Sequence, residues 1–226
     1  MKAHKWLRLI ACIINFLWAN SMIITEISAQ KRKGRYNLFV DGEFYSGLDA
    51  EHIIKNGLKV GLEISKEKLE QIVSESEIRS AFDKLVKMIS NHMHTKFEIK
   101  QKLINLGYSD SAVLGAINKA EEYGYVDDDL YAKMFIDSKS NKSKLEIKLL
   151  LSKKGIKKEI VSDKTEMITD DIEEQKALNL AEKYMKNKVV DQKSMSGLYG
   201  YLARKGFMFD AINHVLKKYK FEEIQE

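Results

Sequence analysis

The sequence predicts a mainly α-helical protein in which three tandem three-helix repeats form an elongated curved array behind a small N-terminal segment with a β-hairpin. Three observations support this prediction. The 226 residues include no proline, the residue that interrupts helices most strongly. Apolar residues make up 44% and charged residues 31% of the chain, which is typical of a globular protein. After residue 76, one pattern of roughly fifty residues occurs three times.

Residues 1–21 differ in composition from the rest of the chain. Two lysines precede an apolar run from Trp6 to Trp18, which is shorter than the ~20 apolar residues that a membrane span needs. The run is compatible with a secretory signal or membrane anchor, with a buried amphipathic segment, or with an upstream extension outside the native product. We favour the extension and expect native translation to start at Met22, where strand-like sequence begins.

Residues 22–75 are expected to form a small α/β segment. Three strands are predicted, the last two around an Asp-Gly turn at residues 41–42 that is a strong hairpin signal, and they are Ile23–Ile27, Arg35–Val40 and Glu43–Tyr45. Two helices are predicted after them, Ala50–Lys55 and Lys66–Val73. Ser65 is the expected N-cap of the second helix.

The repeat is marked by Gly107, Gly155 and Gly206, which are 48 and 51 residues apart. A hydroxyl residue stands twelve positions before each glycine, and apolar residues stand eight and four positions before it and one and six positions after it. The residues twelve positions before the glycines are Thr95, Ser143 and Ser194. Those eight positions before are Ile99, Ile147 and Leu198, and those four positions before are Leu103, Leu151 and Leu202. Those one position after are Tyr108, Ile156 and Phe207, and those six positions after are Val113, Val161 and Ile212.

Each position of the repeat has a role in a helix. The hydroxyl residue caps the helix start, and Glu98 and Glu146 complete a capping box in the first two copies. Apolar residues four apart share one helix face. The glycine ends the helix in the left-handed conformation, and the next apolar residue packs back against the helix. One further helix is predicted before, and one after, the helix that ends at each glycine. Each repeat therefore has three helices, and we expect nine helices in repeats at residues 76–125, 126–170 and 171–226.

Lysines are concentrated in the second repeat. Residues 139–158 contain eight lysines and one glutamate, so their charge is +7 against +5 for the whole chain. Such a patch suits phosphates or an acidic protein surface, although a solvated lysine-rich face is an equally simple explanation. The lysines around Gly155 are expected to be exposed. The candidate partner-binding residues are Lys144, Lys148, Lys153, Lys154, Lys157, Lys158, Arg204 and Lys205.

The sequence offers no catalytic, cofactor or metal-binding pattern. It lacks a Gly-x-Ser-x-Gly elbow, a Gly-x-x-x-x-Gly-Lys phosphate loop and a His-Glu-x-x-His pair. The acidic run at residues 127–129 precedes a predicted helix and is expected to cap it rather than to bind a metal. The one cysteine, Cys12, excludes an internal disulfide, which fits the cytoplasm. We therefore expect a non-enzyme without a cofactor.

Several segments resemble the RecX family. The resemblance rests on the runs at residues 103–108, 122–135, 150–156 and 202–207, and on residues 35–44, which are similar to the N-terminal part of many members. It covers about Met22 to Phe221. The resemblance implies a monomeric cytoplasmic regulator that binds the RecA recombinase filament on single-stranded DNA, with weak direct DNA contact at most. It also implies inhibition of strand exchange, ATP turnover and coprotease activity in DNA repair and the SOS response.

The residues leave two other classes of function open. A secreted or membrane-associated helical scaffold would explain residues 1–21. A helical DNA-binding protein that acts independently of RecA would also use a concentrated lysine patch. Aromatic residues are not interleaved with the lysines, so stacking on the bases of a single strand is not indicated.

Overall fold

The computed structural model describes residues 21–31 and 33–223, with side chains as far as residue 219, and the expectations for residues 1–20 lie outside the described residues. Four strands are present in this part of the chain: β1 Ser21–Ala29, β2 Arg35–Val40, β3 Glu43–Asp49 and β4 Glu63–Ser65. Ten helices accompany them: α1 Ala50–Lys55, α2 Lys66–Ile89, α3 Lys96–Asn105, α4 Asp110–Glu122, α5 Asp128–Asp137, α6 Lys144–Lys153, α7 Lys158–Glu166, α8 Asp170–Met185, α9 Gln192–Arg204 and α10 Phe209–Glu223. The predicted mainly α class with N-terminal strands is confirmed.

The strands form one antiparallel sheet in the order β3-β2-β1-β4. The predicted hairpin joins β2 to β3, and both turn residues have positive φ, +50° at Asp41 and +88° at Gly42. A two-residue hairpin of the type favoured by Asp-Gly requires this conformation. The sequence does not predict β4, because this strand has only three residues and depends on pairing with the first residues of β1.

The sheet and the start of α2 enclose one apolar cluster. It consists of Ile24, Leu38, Val40, Leu48, Leu58, Leu69 and Ile72. Ser65 caps α2 as expected, since its Oγ accepts the N–H of Lys68 at 3.3 Å. The expectation of a short helix that ends at Val73 is wrong. No glycine or proline interrupts the sequence after Val73, so α2 continues through 24 residues to Ile89.

The chain divides into two compact units. Among the described residues, the first comprises residues up to Lys87 together with Leu103–Ala120, and the second comprises Met88–Lys102 together with residues from Glu121 onward. Within the first unit, the Tyr108 hydroxyl lies 3.1 Å from Ser80 Oγ on α2. The predicted division into residues 22–75, 76–125, 126–170 and 171–226 stays a prediction.

The three repeat glycines end α3, α6 and α9 in the same way. Their φ angles are +87°, +73° and +84° for Gly107, Gly155 and Gly206. In each copy, the N–H of the following residue donates to the carbonyl five residues earlier, with N···O distances of 3.2–3.3 Å. This hydrogen bond defines a Schellman motif, in which the residue after glycine folds back on the helix. The predicted helix ends are therefore confirmed.

The predicted helix starts are correct in two copies and wrong in the third. Thr95 and Glu98 form a reciprocal capping box, with N···O distances of 3.1 and 3.2 Å. Ser143 Oγ accepts the N–H of Glu146 at 3.2 Å. In the third copy, Asp191 is the cap, and its Oδ1 accepts the N–H of Ser194 at 2.6 Å. Ser194 lies inside α9 because an aspartate is available one turn earlier and no helix breaker separates the two residues.

The second and third repeats each have their own apolar cluster. The cluster of the second repeat contains Ala132, Ile147, Leu151, Ile156, Val161 and Ile168. The cluster of the third repeat contains Ala177, Leu180, Ala181, Met185, Leu198, Leu202, Phe207, Ile212 and Val215. The leucines four residues before the repeat glycines are fully buried. Across residues 21–31 and 33–223, no helix is both long and apolar enough to cross a membrane.

Candidate partner-binding surface

The candidate lysines lie at the two ends of α6. A helix of ten residues is about 15 Å long. The amino-end cluster comprises Lys144 and Lys148 of α6 with Arg204 and Lys205, since Ser143 Oγ donates to the carbonyl of Lys205 at 2.7 Å. The carboxyl-end cluster comprises Lys153, Lys154, Lys157 and Lys158 around Gly155. The eight candidates therefore form two groups rather than one patch.

In the amino-end cluster, Lys144 forms hydrogen bonds that join the second and third repeats. Its backbone N–H donates to both carboxylate oxygens of Glu173 at 2.9 and 3.0 Å, and its Nζ donates to the carbonyl of Ile168 at 3.2 Å. Burial raises the pKa of Glu173 above its ordinary value, against the opposing effect of the hydrogen bond from Lys144. Lys144 is therefore committed to contacts within the chain.

Lys148 faces a cavity of mixed charge. The cavity has a volume of about 480 Å³, and its charged lining residues are Lys144, Lys148, Asp170, Glu173, Glu174 and Asp210. Arg204 and Lys205 are exposed, and the Lys205 ammonium lies 5.8 Å from the centre of the Tyr201 ring. Four carboxylates against two lysines give the cavity lining a formal charge of −2, which the charges of Arg204 and Lys205 offset, so the field at this end of α6 is close to balanced.

Lys154 in the carboxyl-end cluster is not exposed as expected. Its Nζ donates to Glu98 Oε1 at 2.7 Å and lies 5.6 Å from the centre of the Tyr131 ring, and its side chain is 32% exposed. The hydrogen bond to Glu98 raises the pKa of Lys154 above its ordinary value. Its carbonyl also accepts the Thr95 hydroxyl at 2.7 Å. Lys154 therefore holds α6 against α3, and its charge is neutralised.

The other members of this cluster are exposed. Lys153 ends α6, Lys157 is the N-cap of α7, and Lys158 is its first residue. No hydrogen bond or ion pair of their ammonium groups is found within residues 21–31 and 33–223. The Lys157 side chain does not cap α7, so the positive end of the helix dipole lies beside positive side chains. This end of the surface is the one that favours an anionic partner.

The comparisons with known proteins assign the family. Residues 22–65 match the family model for the regulatory protein RecX N-terminal domain. The chain is 34% identical over 201 residues to the regulatory protein RecX of Clostridium beijerinckii, with 86% of this chain and 94% of the relative covered. The chain belongs to the RecX family. A further RecX protein, from Clostridium perfringens, is 31% identical over 209 residues, with 90% of this chain and 99% of the relative covered.

Solved structures of RecX proteins share the fold of this family member. A crystal structure of regulatory protein RecX matches with a TM-score of 0.64 at 24% identity and covers 86% of this chain and 98% of its own. The structure of RecX from Lactobacillus salivarius matches with a TM-score of 0.59 at 26% identity and covers 64% of this chain and 97% of its own. The family resemblance and the fold class inferred from sequence are both confirmed.

Sequence reasoning missed the residues that link one repeat of this RecX family member to the next. Asp128 accepts the N–H of Lys96 at 3.0 Å, as Glu173 accepts that of Lys144. Asp128 lies 27 residues before Gly155, and Glu173 lies 33 residues before Gly206. An alignment of the repeats on their glycines therefore does not place the two acids at the same position. The sequence contains one signal of contacts between repeats. A lysine directly precedes the glycine in the second and third copies, and the backbone carbonyl of that lysine accepts a hydroxyl from the preceding copy.

We expect Glu98→Gln to weaken the acid sensitivity of this RecX family member. Burial acts to raise the pKa of Glu98, but hydrogen bonds from Lys154 and Thr95 outweigh burial and hold the pKa below its ordinary value. A carboxylate with a lowered folded-state pKa adds stability that is present above its unfolded pKa and lost as pH falls through its folded pKa. Wild type should therefore lose more stability than Glu98→Gln between about pH 5 and pH 3.

Urea denaturation at several pH values measures this difference. At pH 7 Glu98→Gln should be the less stable protein, because the charged partner of Lys154 is lost. As the pH falls towards 3, the difference between the two urea midpoints should become smaller. Parallel pH profiles for the two proteins would contradict a stabilising Glu98–Lys154 pair.

Proposed function

We propose that this RecX family member binds the RecA nucleoprotein filament on single-stranded DNA and lowers its recombinase, ATPase and coprotease activities. The observation that carries the proposal is family membership, since relatives of nearly the full length are named regulatory proteins. On this proposal the chain acts in the cytoplasm as a monomer without a cofactor, in DNA repair and the SOS response. It restrains an enzyme and has no catalytic activity of its own.

The carboxyl-end cluster is the proposed contact with the filament. Its exposed members Lys153, Lys157 and Lys158 fall within six residues of chain and are separated only by Lys154 and the turn at Gly155. Phosphates of the bound DNA and carboxylates of RecA are both suitable partners for ammonium groups without internal partners. Exposed charges of this kind chiefly increase the association rate and add a salt-dependent part of the affinity.

The amino-end cluster has a smaller proposed role in filament binding. Lys144 and Lys148 face carboxylates of their own chain, so a partner would have to compete with those acids. Arg204 and Lys205 are exposed and sit at the equivalent helix end of the third repeat. We propose that they extend the contact along the filament and that most of the electrostatic attraction comes from the carboxyl-end cluster.

Titration into a RecA ATPase assay tests the proposal. The full chain is added to RecA on single-stranded DNA at about 0.05 M and about 0.2 M salt, where the Debye length falls from about 14 to about 7 Å. We expect saturable inhibition at both salts with a higher midpoint at 0.2 M. Unchanged ATPase activity, together with salt-sensitive binding of the chain to a labelled single strand without RecA, would replace this function with RecA-independent DNA binding.

A further inference from the structure

A second cavity lies on the second unit between α5, α7 and the start of α8, and no residue of α6 lines it. Its volume is about 320 Å³. The lining combines aliphatic side chains, three lysines, Ser140 and one carboxylate, Asp137. The residues used in the argument are Lys133, Asp137, Met167, Ile168, Ile172 and Lys176. A cavity of this size accommodates one or two side chains of a partner.

Lys176 is the unusual residue of this cavity. It is only 8% exposed, and no hydrogen bond or ion pair of its ammonium group is found among the described residues. Its electrostatic neighbour is Glu173, whose carboxylate is already occupied by the backbone N–H of Lys144. Burial lowers the pKa of Lys176 below its ordinary value. Among the described residues, neither Glu173 nor the cavity-lining Asp137 forms an ion pair with the Lys176 ammonium. This group reaches the cavity on a buried side chain, so an anion that enters the cavity would stabilise its charge.

The rest of the lining indicates which anion fits. Lys164 is already paired with Asp129 and Asp163, at 3.0 Å each, so it contributes little free charge. Met167 is 67% exposed and Ile172 is 45% exposed, so apolar surface surrounds the approach to Lys176. A phosphodiester backbone would gain nothing from these side chains. A carboxylate next to an apolar side chain matches both features.

We propose that this cavity, the Lys176 pocket, binds an acidic segment of a partner protein, with one carboxylate on the Lys176 ammonium and a neighbouring apolar side chain over Met167 and Ile172. Lys133, exposed at the rim, adds attraction for a second acidic residue. The pocket uses none of the lysines of the carboxyl-end cluster. It therefore goes beyond the proposed function, and each can fail without the other.

Methyl NMR of the full chain tests the pocket with a defined probe, the tetrapeptide acetyl-Asp-Leu-Phe-Asp-amide. Saturable shifts are expected at the methyl groups of Met167, Ile168 and Ile172. The matched peptide with asparagine at both acidic positions should bind about tenfold more weakly, because it loses a charge-assisted hydrogen bond. This comparison uses wild type alone, so it does not depend on the folding of a variant.

Substitutions of lysine test whether the acidic peptide binds at Lys176. Lys176→Met keeps most of the apolar part of the side chain, removes the ammonium group and should reduce affinity for the acidic peptide to that of the asparagine peptide. Lys183→Met, at an exposed lysine two turns further along α8, should bind like wild type. Equal affinities for the two peptides, no methyl shifts, or shifts caused by inorganic phosphate or a ten-residue oligothymidine but not by the acidic peptide would each overturn the proposal.

Discussion

Replacing Lys153, Lys157 and Lys158 together with glutamate is expected to raise the midpoint of RecA ATPase inhibition by about tenfold or more. The three side chains are exposed and have no internal partner among the described residues, so the fold should survive the change. Acidic side chains would then face phosphates or carboxylates of the filament. Because the attraction would be lost, the variant should also lose most of the salt dependence that wild type shows between about 0.05 and 0.2 M salt.

Two further variants separate this effect from a change in net charge or in folding. Glutamate at Lys183, Lys186 and Lys193, which are exposed in the third repeat, changes the net charge equally and should leave inhibition near wild type. Lys154→Glu should instead lower the melting temperature, because Glu98 would face a like charge. Circular dichroism and thermal melts check folding. If the folded triple variant keeps the wild-type midpoint and salt response, the carboxyl-end cluster is only a solvated face.

The parts of the fold that follow from local chemistry could be predicted from the sequence. A Schellman motif depends on one glycine and the residues within five positions of it, and all three copies carry that pattern at Gly107, Gly155 and Gly206. The Asp41-Gly42 hairpin and the capping box at Thr95 depend on equally short segments. Each of these features is decided within one turn of chain, so a single sequence contains all the information needed.

The parts that depend on contacts between repeats could not be predicted. Lys154 and Glu98 are 56 residues apart, and nothing local distinguishes Lys154 from the exposed Lys153 beside it. The same reason hides the contact of Glu173 with Lys144, since the two residues belong to different repeats. Lysine density therefore selected one segment of the chain as a candidate contact. It did not show which lysines are free to meet a partner.

The contact between repeats also makes Gly155→Ala the substitution with the largest expected effect on stability. At φ +73°, alanine costs about 1–2 kcal/mol relative to glycine. A Cβ at this position would also lie 2.2 Å from the ring of Phe97, well inside van der Waals contact. Either the ring or α6 must move, and moving α6 disturbs the hydrogen bond from Thr95 and the pair with Glu98. The free energy of unfolding should therefore fall by clearly more than the backbone cost alone.

Gly124→Ala separates the cost of a positive φ from the cost of the clash with Phe97. Gly124 also ends a helix with positive φ, +68°, but a Cβ there would have no atom within 4 Å, so only the loss of about 1–2 kcal/mol is expected. Phe97→Gly should then rescue part of the loss in Gly155→Ala. It removes both the ring and the Phe97 Cβ, which would lie 2.2 and 2.3 Å from the new Cβ, and a double-mutant cycle by urea denaturation should show a coupling of about 1 kcal/mol or more. If Gly155→Ala costs no more than Gly124→Ala and Phe97→Gly adds independently, Phe97 does not pack on Gly155 in solution, and the contact between the first and second repeats is looser than the distance indicates.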